Sequence, residues 1–159
     1  MPESLTPERR SRLMARVKGT NTKPEVVLRS LLHRMGYRFR LHRKDLPGSP
    51  DIVLPKYRTA IFVHGCFWHR HPGCKRTTTP KNNYEFWQTK FAQNIERDAR
   101  KHAQLLQLGW HVIIVWECET VPGKASELEV KFRKALCEGP HERCETDVPD
   151  LLDSRTFHR

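Results

Sequence analysis

Between Thr22 and Gly36 the apolar residues Val27, Leu28, Leu31, Leu32 and Met35 recur at three- and four-residue intervals, the spacing of one helix face. Thr22-Lys23-Pro24-Glu25 opens that helix as a capping box and Gly36 stops it. Upstream, Thr6-Pro7-Glu8 places a capping threonine before a proline at the first helical position, which predicts a short basic helix to about Val17. The period then changes. Tyr37 to Leu41 alternates apolar and polar like a strand, and the loop DLPGSP delivers Asp51 to the start of a second short strand, Asp51 to Leu54. After a turn at Pro55-Lys56, TAIFV (59–63) is apolar and β-branched, a buried strand. A helical stretch from about Tyr84 to Leu108 ends at Gly109, and WHVIIVWEC (110–118) reads as the central strand. KASELEVKFRKAL is a last helix, and 137–159 reads as a loosely ordered, acidic tail. The order α, α, β, β, β, α, β, α predicts an α/β domain over 1–136, a mixed central sheet flanked by helices.

Charge adds a partner class. The net charge of +11 is uneven: residues 1–50 carry 12 Lys/Arg against 4 Asp/Glu, residues 51–136 carry 14 against 8, and residues 137–159 carry 3 against 6. A basic body favours a polyanion, most often nucleic acid, with a solvated basic surface as the plainer alternative. No run approaches the roughly 18 apolar residues of a membrane span, and the first residues have no apolar signal core. A cytoplasmic protein is therefore expected, without a membrane partner.

The loop HGCFWHRHPGC (64–74) concentrates three histidines, two cysteines and a Phe-Trp pair. Cys66, His71 and Cys74 are close enough in the chain to converge, and Cys118 lies at the end of the strand beside which that loop would be anchored. A Cys3His set is a tetrahedral zinc site of the structural kind, and thiolates with imidazole select zinc over magnesium. The alternative is a buried Cys118 with the other thiols free. Five cysteines in such a chain argue against a disulfide framework, and Cys137 and Cys144 read as bystanders.

SPD (49–51) at a strand start, followed by a turn and an apolar strand, resembles the opening of the PD-(D/E)xK nucleases. The second strand of those enzymes carries an acid and a lysine, whereas IFVHG here has neither. Asp51 is then the metal carboxylate, and a histidine is the chemical substitute for the water activator. His64 closes the strand and His69 lies between zinc ligands without being needed as one. Glu25 and Asp98 are the acids best placed to help. Their plainer roles are a capping box for Glu25, an exposed helix charge for Asp98 and a solvent-facing loop position for His69.

Taken together, RSRLMARVKGTNTKPE (10–25), LPGSPDIV (46–53), IFVHGCFWHRHPGC (61–74), EFWQTKFAQNIERD (85–98) and LGWHVIIVWEC (108–118) resemble the very short patch repair (Vsr) mismatch endonucleases. The resemblance implies a fold similar to type II restriction nucleases. It also implies a Mg2+-dependent enzyme that nicks one strand of double-stranded DNA 5′ to the mispaired thymine of a T·G pair. By the same resemblance Asp51 and the main-chain carbonyl of Val63 hold magnesium, in one or two ions. His69 is the base, supported by Glu25, His64 and Asp98. Cys66, His71, Cys74 and Cys118 hold a structural zinc. Phe67, Trp68 and Trp87 enter the base stack from the major groove and Met14 from the opposite side, the first 20 residues contact DNA, and the protein acts as a monomer. Two departures stand out: Val63 where relatives often have Thr, and Pro72-Gly73 before Cys74.

The residue types suit a mismatch. Wedging a base step costs about a few kcal/mol, less beside a poorly stacked wobble pair, and aromatic stacking returns roughly 1–3 kcal/mol per base. Core packing is the alternative fate of these side chains, most of all for Trp87 and Met14, which lie on helices. Two rival functions remain, a non-catalytic zinc module that binds nucleic acid and a nuclease that cuts perfect duplex.

Overall fold

The computed structural model describes residues 6–16 and 19–137. Along the chain run α1 (Pro7–Ala15), α2 (Lys23–Arg34), β1 (Arg40–Leu41), β2 (Ile52–Leu54), β3 (Thr59–His64), α3 (Tyr84–Gln107), β4 (His111–Trp116) and α4 (Ala125–Cys137). Short 3-10 turns follow β2 at Pro55–Tyr57 and β4 at Glu117–Glu119. The strands form one mixed sheet in the order β1-β2-β3-β4, antiparallel as far as β3 and parallel between β3 and β4. The parallel step needs a crossover, and α3 supplies it.

Strand parity assigns the layers, because alternate residues face opposite sides of a sheet. Ile52, Leu54, Ile61, Ile113 and Val115 pack with Leu28, Leu31 and Leu32 of α2 and Leu128, Phe132 and Leu136 of α4. Val53, Ala60 and Phe62 face the other way, against Leu46 and Leu105 of α3. The sheet is thus buried on both faces, and Ile52, Val53 and Leu54 are all fully inaccessible. The expected mixed sheet flanked by helices is present.

Several boundaries differ from expectation. Tyr37 to Leu41 pairs only at Arg40 and Leu41, opposite Val53 and Ile52. Its alternation reflects Tyr37 and Phe39 packing on the core, and a three-residue β2 offers no longer partner. Asp51 precedes β2 instead of beginning it, and β4, expected as the central strand, lies at the edge of the sheet and stops at Trp116, where the chain turns. Val27, expected on the buried face of α2, is 40% exposed. Helix α1 ends at Ala15, short of Val17, which lies outside the described residues, as does the expected tail beyond Cys137. Cys137 itself is the last residue of α4 and is disulfide-bonded, not a bystander thiol.

Among the described residues no helix is long and apolar enough to cross a membrane.

Candidate active site

The β2–β3 register ends where the chemistry begins. Ile52 pairs with Ile61, so continuing the ladder would set Pro50 opposite Val63. Proline has no N–H to offer, and the ladder stops there. The Val63 N–H turns instead to Oδ2 of Asp51 at 2.8 Å. A strand residue points its N–H and C=O to the same side, so the Val63 carbonyl also faces past the end of β2. Gly48 allows the preceding loop to pass close under α3: at φ +77°, a Cβ there would lie 3.1 Å from Lys101 and 3.2 Å from Phe62. Burial pushes the Asp51 carboxyl up to about 6, opposed by the Val63 N–H and assisted by nearby Glu25.

Parity also puts His64 on the α3 side, with Phe62. There His69 stacks flat on it, ring centroids 3.9 Å apart at 9°, and His102 of α3 lies beyond at 5.7 Å and 17°. His69 Nδ1 is 2.5 Å from Oδ2 of Asp98, also on α3. A carboxylate only accepts, so Nδ1 carries the proton and Nε2 keeps its lone pair. Burial alone would raise Asp98, but the hydrogen bond from His69, with the His69, His64 and Arg97 side chains nearby, leaves its carboxyl below the usual range. Burial, with His69, His102 and Arg97 nearby, pushes His64 down to about 3, which keeps it neutral at working pH. Asn94 braces the loop by donating to the Trp68 carbonyl at 3.2 Å.

The cysteine cluster follows from the parallel pairing. His64 lies opposite Trp116, so Cys66 and Cys118, each two residues further on, leave the same end of the sheet side by side. His71 Nδ1 is 3.3 Å from Cys118 Sγ and 3.7 Å from Cys66 Sγ. With Cys74, the four donor atoms all lie within 4.8 Å of one another. Tetrahedral zinc with its usual bond lengths separates sulfur from nitrogen by about 3.6 Å, which these values bracket. His71 stacks on Trp116 at 4.2 Å. Burial pushes the Cys66 thiol up to about 12 and raises Cys118 as well. Such a packed thiol group is stable as thiolates only around a cation, so the donor set fits zinc chemically.

Beyond the cysteines the loop presents its aromatics. Phe67 meets Trp68, Trp87 and Phe91 edge-on at 5.1, 5.6 and 5.3 Å. Phe67, Trp68 and Trp87 are half-buried, whereas Phe91 is buried beneath them. Met14 of α1, 43% exposed, faces them across two adjoining grooves of about 530 and 620 Å3 that Arg10 also lines. The rings are therefore supported from below and open above. A larger cleft of about 680 Å3 beside them contains Asp51, His64, His69, Asp98 and Glu25, with Trp68 on its wall and Lys90, Arg97 and Lys101 contributed by α3.

The sequence matches the family described as DNA mismatch endonuclease Vsr over residues 3–76. A type II nicking enzyme of Xanthomonas oryzae pv. oryzae, V.XorIIP, is 52% identical over 136 residues, 86% of this chain and 98% of its own. A second nicking enzyme, V.NmeAIP of Neisseria meningitidis, is 44% identical over 96% of this chain and all of its own length. The DNA mismatch endonuclease Vsr of Escherichia coli is 46% identical over 69% of each chain. The chain belongs to the Vsr family of DNA mismatch endonucleases.

A Vsr-family endonuclease acts on DNA, and the Lys90, Arg97 and Lys101 side of the cleft suits a phosphate backbone. Within this Vsr chain the expected catalytic, metal-binding and intercalating residues lie in three adjoining places, with Val63 on the wall of the cleft. Cys66, His71, Cys74 and Cys118 form the donor cluster, Asp51, His64, His69, Asp98 and Glu25 line the cleft, and Phe67, Trp68, Trp87 and Met14 line the grooves. Sequence reasoning missed His42, whose ring joins Glu25 and Asp51 in a third donor group. It also missed His102 and Arg29. His102 carried a usable signal, one helical turn after Asp98. His42 carried none, because only the β1–β2 pairing brings it beside Asp51, to whose carbonyl its N–H donates at 3.1 Å.

Proposed function

We propose that this protein nicks one strand of duplex DNA 5′ to the mispaired thymine of a T·G pair, hydrolysing a phosphodiester bond. The observation that carries this reading is the juxtaposition of an open aromatic groove with a cleft holding Asp51 and the His69–Asp98 pair. A nuclease for intact duplex needs no wedge, and a binding module needs no paired imidazole and buried carboxylate. Phe67, Trp68 and Trp87 enter the stack from one side and Met14 from the other, so that a poorly stacked wobble step opens most readily.

Asp51 and the Val63 main-chain carbonyl would hold Mg2+, a hard ion suited to oxygen donors, which when bound polarises the phosphoryl oxygen and stabilises the leaving oxygen. His69 takes the proton of the attacking water at Nε2, since its Nδ1–H is held by Asp98. His64, stacked beneath, fixes the plane of that imidazole. Glu25 acts through its neighbours and orients the Asp51 side of the cleft. Cys66, His71, Cys74 and Cys118 would hold a structural Zn2+ that stiffens the loop carrying both the wedge and His69. The restriction-nuclease type of fold is part of the same reading, supported by the mixed sheet with Asp51 at the end of β2. All these groups come from one chain, which supports a monomer working on the DNA of the cytoplasm.

The test is a panel of end-labelled duplexes of one sequence, carrying T·G, T·A or C·G at one position, with and without Mg2+, resolved on denaturing gels. A single nick beside the T of the T·G duplex, dependent on the ion, is expected. Equal cutting of all three duplexes would favour a general nuclease, and no cutting with tight binding would favour a zinc-containing binding module.

A further inference from the structure

Arg29 stands one helical turn after Glu25 on α2, and its guanidinium contacts two members of the third donor group, Glu25 and His42. Its Nη2 is 3.0 Å from Glu25 Oε2 and 3.0 Å from His42 Nε2, while Nη1 donates to Asn21 Oδ1 at 2.8 Å. Glu25, His42 and Asp51 each bring a ligand atom within 4.8 Å of the other two, the size of a divalent-ion site. Guanidinium only donates, so His42 Nε2 accepts and the ring proton is on Nδ1. The Nε2 lone pair used by Arg29 is the one a metal would need. Glu25 is likewise committed. Its Oε1 accepts from the Thr22 hydroxyl at 2.9 Å, and its Oε2 from the Asn21 N–H at 3.1 Å as well as from Arg29. The buried Nε of Arg29 has no partner, so the guanidinium is held there by the carboxylate and imidazole alone on that side.

We infer that Arg29 is a resident cation occupying the Glu25 and His42 donors of a latent divalent site that Asp51 would complete. It makes Glu25 and His42 positioning residues and leaves Asp51, whose Oδ2 accepts the Val63 N–H, as the carboxylate that Arg29 does not engage. The ion for catalysis then binds weakly until DNA phosphate completes its shell. This rests on the reading of Asp51 as the ion's carboxylate.

The test is titration of the full-length, zinc-loaded, DNA-free protein with Mn2+, followed by the loss of the free-ion electron paramagnetic resonance signal. Arg29→Met leaves two carboxylates and an imidazole without a counter-cation, and binding should tighten by at least about tenfold, since ligand charge sets divalent affinity. Arg29→Lys keeps a cation in place and should stay at the wild-type level. Adding His42→Ala to Arg29→Met should remove the gain. An Arg29→Met protein that binds Mn2+ no better than wild type overturns the inference, as does a gain indifferent to His42. Should Arg29→Met fail to fold, nitrogen-15 spectra of wild-type histidines decide: an Nδ1–H tautomer at His42 supports the inference and an Nε2–H tautomer overturns it. Mn2+ binding is read without nicking, so failure of the mismatch reading would show in the duplex panel and failure of this inference in the titration.

Discussion

Replacing Asp51 by Asn should make the protein more stable, and the gain should depend on pH. The folded environment raises the Asp51 carboxyl from 3.8 to about 6, burial being the largest cause. At 1.36 kcal/mol per pH unit, keeping that group ionised above pH 6 costs the fold about 3 kcal/mol. Asn has nearly the same shape, and its carbonyl oxygen keeps the hydrogen bond from the Val63 N–H. The sign follows from proton binding: between pH 3.8 and 6 the folded protein holds this proton more tightly than the unfolded chain. Wild-type stability therefore falls as pH rises through that window, and the variant's does not share this fall. The other groups cancel in the difference. Urea denaturation of zinc-loaded protein without Mg2+ should show Asp51→Asn ahead by about 3 kcal/mol at pH 7.5 and by only about 1 kcal/mol at pH 4.5. A destabilised variant, or a difference independent of pH, would refute the claim that this carboxylate is held against its own solvation. A gain of that kind marks a group kept for chemistry at the expense of stability.

Other consequences test the remaining parts of the site. Cys118→Ser should abolish stoichiometric zinc by elemental analysis and lower the melting temperature, whereas retention of one zinc per chain would exclude Cys118 as a ligand. Trp68→Ala should weaken binding to a T·G duplex by about 1–3 kcal/mol, roughly 5- to 150-fold by fluorescence anisotropy, with a much smaller change for the matched duplex. Equal weakening of both would make Trp68 a packing residue. His69→Ala should lower the single-turnover nicking rate by about 10²- to 10⁴-fold and remove the dependence of rate on an imidazole, and an unchanged pH profile would clear it of the base role. Phe132→Ala, far from the cleft in the α4 layer and fully buried, should cost about 3–5 kcal/mol of stability and leave the nick position unchanged.

Much of the fold was legible because the helices and the two longer strands carry their own periodicities. The β3 and β4 apolar runs and the α2 face are local signals of packing. The misjudged pieces depended on partners. Alternation over Tyr37 to Leu41 reports which side chains meet the core, but a strand also requires an edge to pair with, and β2 offers three residues. Val27 falls within the apolar face of α2 by spacing, yet it lies at the margin of what α4 covers and borders an open groove.

The cysteine cluster was legible from residue type, while its convergence required the register that sets His64 beside Trp116. Glu25 illustrates why two readings of one residue need not compete. It accepts the Thr22 and Asn21 N–H groups as a capping residue does, and the same carboxylate lines the cleft beside Asp51. His42 and Arg29 were invisible because one sits at the end of a two-residue strand and the other reads as an ordinary surface charge on an amphipathic helix. The pairing of β1 with β2 brings His42 to Asp51, and the contact between α2 and the residue after β1 brings Arg29 to His42.

The most direct measurement uses one fluorescent T·G duplex and reports binding and nicking together for wild type and Asp51→Asn. With Mg2+, wild type should bind and cut beside the mispaired T, while Asp51→Asn should bind with similar affinity and leave the strand intact. Undiminished cutting by Asp51→Asn, or loss of mismatch binding along with cutting, would contradict the division of labour between the aromatic wedge and the carboxylate.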